Sequence, residues 1–308
     1  MTASSTIVNK QSSEHEALQY TDNDNYDLRL SKQKICLDKI IDDLPEYIEH
    51  DELELYYQPQ IDVSTGKTRS VEALVRWSHR YAGNIPPYIF IPLAERTGHI
   101  NKLTDWVLDK ALWQMSEWNN SGVTLDVAVN LSVHNFNDSS FPQKVSDLLD
   151  KWSVPASQLI LEITEGVMIK DTDRVIYLLS LLRESGVRLS LDDFGSGYSS
   201  LSYLSNLPIN ELKIDRTLVM DIDRNSKNST IVQSIIKLAK SLGLSVVAEG
   251  VESLNAYSKL AKFKCDTAQG FYFSKPICCA EFSSWLYHSD WGIGLDTYFA
   301  NSLCPQIA

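Results

Sequence analysis

Short apolar runs recur along the chain, and each closes on a polar residue with chemical potential. RSVEAL carries Glu72, LDVAVN carries Asn130, LILE carries Glu162, and VRLSLDD carries Asp192 and Asp193. Further on, ELK carries Lys213, LSVVAE carries Glu249, and CDTAQG carries Gln269. An apolar run this short, bounded by polar residues, reads as a buried strand. Between most of the runs lie stretches of helical periodicity. The clearest has Leu103, Trp106, Val107, Leu112, Met115 and Trp118 at three- and four-residue steps, with NNSG to stop it. Similar stretches are expected at about 141–152, 172–186, 199–206, 228–242 and 253–263, each starting near Ser, Thr, Asp or Asn, as helix N-termini prefer. A leading helix is expected from about residue 30, ending near Pro45, followed by strands LELYYQPQ and TRSVEALVRW, then a helix after Pro86 and Pro87.

Buried strands alternating with helices imply an α/β fold with a parallel sheet, and closing that sheet into a barrel gathers the strand ends on one face. The polar residues above would then meet in one pocket, each from a strand end. So many carboxylates in one place repel one another unless cations sit among them. Oxygen ligands of this kind suit hard divalent ions, Mg²⁺ or Mn²⁺.

Bulk properties narrow the class. The 308 residues fit one large α/β domain with tails. The net charge of -12 argues against a surface for polymeric nucleic acid, which needs basic stripes. A small phosphorylated ligand stays compatible, because bound metal reverses the local field. Five cysteines without CxxC spacing read as reduced thiols of a cytoplasmic protein. Six histidines show no metal-ligand spacing and read as structural or surface residues. No signal peptide or membrane-spanning run is visible. Residues 1–30 read as a flexible polar tail, 31–286 as the functional domain, and 287–308 as a C-terminal extension that packs without joining the repeat.

Singly, each motif has a plain reading. Glu72 alone is an ordinary strand charge, Asn130 a turn former, Glu162 with Glu165 an acidic helix start, and DDFGSG a tight turn. In order and together, they resemble the EAL domain, the cyclic di-GMP phosphodiesterase family. The matching text is YYQPQID, EALVRW, FIPLAERTGHI, VNLS, LEITE, LDDFGSGYSSLSYL, LKIDR, VVAEGVE and QGFYFSKP, spread over about residues 34–286.

The resemblance implies a TIM-like (β/α)8 barrel with one strand antiparallel, and hydrolysis of cyclic di-GMP to linear 5′-pGpG. It implies two Mg²⁺ or Mn²⁺ ions held by Glu72, Asn130, Glu162, Asp192, Asp193 and Glu249. Lys213, Glu249, Asp193 and Glu72 would carry catalysis, with Lys213 near the attacking water and a phosphate. Gln58, Leu74, Arg76, Asn130, Lys213, Asp215 and Gln269 would meet substrate. Glu165 and Glu252 would brace the DDFGSG loop, which in relatives links metal occupancy to dimerisation, so a homodimer is expected. Two metals about 3.5–4 Å apart suit in-line attack of an activated water on a phosphodiester. Ser196, Gly166, Leu218 and Lys264 depart from the family's usual residues, but none is an expected metal ligand. The competing reading is an inactive EAL protein that senses cyclic di-GMP or binds a protein partner; such proteins usually lose a ligand, the lysine or the loop glutamate, and this chain keeps them. A barrel glycosidase would need only a carboxylate pair and gives no reason for Lys213, Asn130 or the Asp-Asp pair.

Overall fold

The computed structural model describes residues 37–164, 166, 172–196, 204 and 206–293. The expected tail at 1–30, the helix at 199–206 apart from Leu204 and Asn206, Glu165 and residues 294–308 lie outside the described residues.

Helix α1 (Leu37–Glu49) precedes strand β1 (Glu54–Asp62), the long β2 (Lys67–His79) and the short β3 (Gly83–Ile85). Helices α2 (Pro87–Thr97) and α3 (Ile100–Asn120) follow. Strands and helices then alternate: β4 (Asp126–Leu131), α4 (Phe141–Trp152), β5 (Leu159–Thr164), α5 (Thr172–Glu184), β6 (Arg188–Phe194), β7 (Glu211–Ile214) and α6 (Arg216–Val219). The last elements are α7 (Ser226–Ser241), β8 (Ser245–Ala248), α8 (Leu254–Lys262), β9 (Thr267–Gln269), β10 (Ile277–Cys278) and α9 (Cys279–His288).

Eight strands close into a barrel in the order β1-β9-β8-β7-β6-β5-β4-β2, with β1 returning to β2. All neighbours are parallel except β1, which runs antiparallel to both β2 and β9. This is the expected TIM-like barrel with a single reversed strand. Strands such as β7 are buried on both faces because side chains fill the barrel on one side and helices cover the other. Helix α3 turns Leu103, Val107, Leu108, Ala111, Leu112, Met115 and Trp118 inward at helical spacing. Its Trp118 ring meets Tyr57 of β1 at 5.0 Å and Phe282 of α9 at 5.4 Å, sealing the outer face of the reversed strand. After α9, the Trp291 carbonyl accepts from the Thr68 amide and hydroxyl, and its ring packs on Phe273 at 4.9 Å.

Two local expectations need correction. Helix α1 does not stop near Pro45 but runs on to Glu49. Proline's fixed φ is helical, and the turn beyond it is held by tertiary contacts: Tyr47 is buried and its hydroxyl accepts from the Arg80 amide at 2.7 Å. Glu72 does not end its strand. Seven residues of β2 follow it, because β2 outruns the barrel to pair with β1 on one edge and β3 on the other. At that outer end His79 is structural: its Nδ1 accepts from the Tyr81 and Ala82 amides, which leaves Nε2 to donate to Asp43 at 3.0 Å.

Candidate active site

Alternation along each strand selects which side chains enter the barrel. Parallel register sets Asn130 beside Glu162, and the antiparallel strand brings Gln58 opposite Glu72 and Gln60 opposite Gln269. Lys213 comes up from β7, and Glu249 lies one residue beyond the end of β8. Beside Gln269 the chain passes so close to its neighbour that a Cβ on Gly270 would lie 2.2 Å from the Val251 carbonyl oxygen. Only glycine fits there.

Lys213 is the centre of the cluster. Its side chain is 0% exposed, and Nζ lies 2.7 Å from Glu249, 2.8 Å from Glu162, 3.3 Å from Asp192 and 3.8 Å from Glu72. Burial alone would discharge a lysine. Here it is overcome by the surrounding carboxylates, which hold the ammonium well above its ordinary range. Glu72 is placed by two further donors, Asn130 Nδ2 to Oε1 at 2.7 Å and Gln269 Nε2 to Oε2 at 2.6 Å. Burial tends to raise its carboxyl, but Lys213 and these amides outweigh that and hold it below the usual range.

The other acids are less well compensated. Burial drives Glu162 well above the usual carboxylate range, against the pull of Lys213 and with Glu72 and Asp192 adding to the rise. Burial likewise pushes Glu249 up to about 8, opposed by Lys213 and reinforced by Asp192 and Glu72. Asp193 is raised by burial and by the charges of Asp192 and Asp215. Its backbone is left-handed, φ 58°, and its amide donates to Asp192 Oδ1 at 2.9 Å. That turn points the two adjacent aspartates of the DDFG run toward one region.

One ammonium therefore faces four carboxylates, with Asp193 close by. Carboxylate oxygens of Asp192, Asp193 and Glu249 all lie within 4.8 Å of one another, and Glu162 Oε1 is buried with no hydrogen-bond partner among the described residues. An orphaned oxygen amid crowded, hard oxygen donors fits a divalent cation of the Mg²⁺ or Mn²⁺ type.

The structure thus brings together Glu72, Asn130, Glu162, Asp192, Asp193, Lys213, Glu249, Gln58 and Gln269. Other expected residues sit further out. Arg76 donates to the Val75 carbonyl at 3.0 Å and lies over the Tyr56 ring, still within the field of Glu72. Leu74 is half-buried, paired with Tyr56. Asp215 accepts from the Thr217 amide at 2.9 Å and so caps α6, at the edge of the cluster. Glu252 is exposed, three residues past Glu249. Sequence reasoning missed Gln60 and Ser70, which lie beneath the cluster in the barrel. The alternation of β1 puts Gln60 on the same face as Gln58, a signal that was present in YYQPQ.

Comparison with known proteins gives the same picture. The EAL domain family matches residues 41–276. The Pseudomonas aeruginosa protein "Cyclic di-GMP phosphodiesterase PA2567" is 39% identical over 232 residues, 75% of this chain and 40% of its own length. "Cyclic di-GMP phosphodiesterase NbdA" of the same organism is 41% identical over 246 residues, 80% of this chain and 31% of its own length. Among solved structures, "PaMucR Phosphodiesterase, c-di-GMP complex" superposes with a TM-score of 0.75 at 40% identity, covering 79% of this chain and 99% of that one. The chain spans 30% to 40% of the length of the first curated relatives it matches. With its barrel, its reversed strand and its buried acidic cluster in that family's order, this chain belongs to the EAL domain family.

Proposed function

We propose that this chain is a metal-dependent phosphodiesterase that hydrolyses cyclic di-GMP to linear 5′-pGpG, with residues 31–286 as the catalytic unit. The observation that carries the reading is the charge deficit around Lys213: four carboxylates within 4.0 Å of one lysine. Relatives at about 40% identity that bear the name of this activity support it, as does the cyclic di-GMP complex of a similar domain.

Glu72, Asn130, Glu162, Asp192, Asp193 and Glu249 would hold two Mg²⁺ or Mn²⁺ ions. When bound, such ions lower the pKa of water and neutralise charge building on a phosphate. Lys213 holds Glu162, Asp192 and Glu249 in place and adds positive charge beneath the scissile phosphate. Glu249, 2.7 Å from Lys213, would accept the proton of the attacking water. Arg76, on the part of β2 that projects past Glu72, supplies a cation for the substrate's second phosphate. Gln58 and Gln269 orient substrate from the reversed-strand side of the pocket.

The test is hydrolysis of cyclic di-GMP by the purified protein with Mg²⁺ or Mn²⁺, resolved by chromatography. Appearance of pGpG, abolished by EDTA and lowered at least about 10²-fold by Glu72→Ala, is the expected result. Saturable binding of cyclic di-GMP without any product would move the chain to the sensor class.

A further inference from the structure

Beneath Glu72 the barrel holds a line of buried amides whose directions are all determined. Gln58 Nε2 donates to the Ser274 carbonyl at 3.2 Å, and a carbonyl only accepts, so Gln58 Oε1 faces Gln269. Gln269 Nε2 then donates both to Gln58 Oε1 at 3.0 Å and to Glu72 Oε2 at 2.6 Å. Its own Oε1 needs a donor, and Gln60 Nε2 supplies one at 2.9 Å. The Ser70 hydroxyl donates to Gln60 Oε1 at 2.6 Å and closes the line.

Gln60 and Ser70 are buried, and their side chains bond within this line rather than to the carboxylates above it. A bulge in the β1–β2 pairing leaves Arg69 as the extra residue and sets Ser70 directly opposite Gln60. Sheet irregularity, serine and glutamine thus agree on one arrangement.

We propose that Gln60, supported by Ser70, is a positioning residue that locks the Gln269 amide with its NH₂ toward Glu72, and so sets the affinity of the site for divalent metal. Without a donor at Gln60, Gln269 Oε1 is left buried and unpaired, and the amide is held from its NH₂ side alone, by Glu72 and Gln58. An amide so held shifts toward a new donor, and Glu72, gripped at 2.6 Å, shifts with it. Groups that orient a metal's ligands typically govern affinity or activity by about 10–100-fold.

This inference rests on the metal site of the proposed function, but its readout is metal binding rather than turnover. Mn²⁺ is titrated calorimetrically into wild type, Gln60→Met, Gln269→Met and the double variant, with metal-free melting as a check on folding. Gln60→Met is expected to bind Mn²⁺ about tenfold more weakly. If Gln60 acts through Gln269, adding Gln60→Met to Gln269→Met changes nothing further. A merely structural glutamine would give losses that multiply, and that result overturns the proposal. So does wild-type affinity in Gln60→Met, or a wild-type protein that binds no Mn²⁺. Should Gln60→Met fail to fold, Ser70→Ala decides, because it removes only the hydroxyl that supports Gln60. Weaker Mn²⁺ binding supports the lock, and unchanged binding refutes it. A wild-type chain that binds Mn²⁺ yet leaves cyclic di-GMP intact would sink the reaction but not this lock.

Discussion

At the N-terminal ends of the barrel strands, Arg188 on β6 bridges Asp126 on β4 and Glu211 on β7, with Nη2 3.5 Å from Glu211. Arg69 adds a second positive charge in the field of Asp126, and the Ser245 hydroxyl donates to Glu211 at 3.2 Å. At the C-terminal ends, Lys213 is, among the described residues, the one cation within 4.0 Å of Glu162, Asp192, Glu249 and Glu72, with Arg76 further off in the field of Glu72. Among the described residues, each end leaves one buried carboxylate oxygen without a hydrogen-bond partner, Glu211 Oε1 below and Glu162 Oε1 above. Orphaned oxygens are therefore not what separates the two ends. The ratio of cations to acids is. The lower cluster is near balance and ties three strands together, whereas the upper one is complete only with added positive charge.

Removing the cation from each end separates the two most strongly. Lys213→Met and Arg188→Met should each destabilise the metal-free protein, by about 3–5 kcal/mol where a buried pair is broken. Mn²⁺ should restore much of the loss in Lys213→Met and none in Arg188→Met, as thermal melts with and without EDTA would show. Equal rescue of both, or of neither, would erase the distinction. Next in size is Gly270→Ala. Its Cβ would lie against the Val251 backbone, so denaturant unfolding should show a loss of at least about 2 kcal/mol. Because Gln269 is the adjacent residue, Mn²⁺ affinity should fall with it.

A smaller effect follows from pH. Glu249 titrates near its ordinary value in the unfolded chain but at about 8 in the folded, metal-free protein. Between those values the folded state binds the extra proton, so its stability declines as pH rises from about 5 to 8. Metal must displace that proton, and the Mn²⁺-induced rise in melting temperature should grow across the same window. Melts at stepped pH check both slopes. A metal-free protein whose stability rises across the window would show that the upper cluster is not proton-loaded as described.

Much of the upper end was legible in the sequence, because each of its residues sits in or beside an apolar run whose burial fixes where it must go. Glu72, Asn130, Glu162, Asp192, Lys213 and Glu249 were named from those runs. Nothing in EALVRWSH announces that β2 leaves the barrel to pair with β3, so the sequence puts Glu72 at a strand end where the structure does not. The lower cluster and the Gln60 line were not legible. Asp126, Arg188 and Glu211 open their strands and are 62 and 23 residues apart in successive steps, so only closure of the barrel makes them neighbours. Gln60 could be placed on the inner face by alternation, but its donor and acceptor came from β2 and β9, which the sequence does not pair. Polar residues at strand ends advertise themselves; those within a closed barrel acquire meaning from the partners that closure brings.

Calorimetric titration of the metal-free protein with Mn²⁺ decides whether the upper cluster is a site for divalent metal. Saturable binding of two ions per chain is expected, weakened by Asp192→Asn and untouched by Glu211→Gln at the opposite end. Absence of saturable binding, or equal loss from the two substitutions, would contradict it.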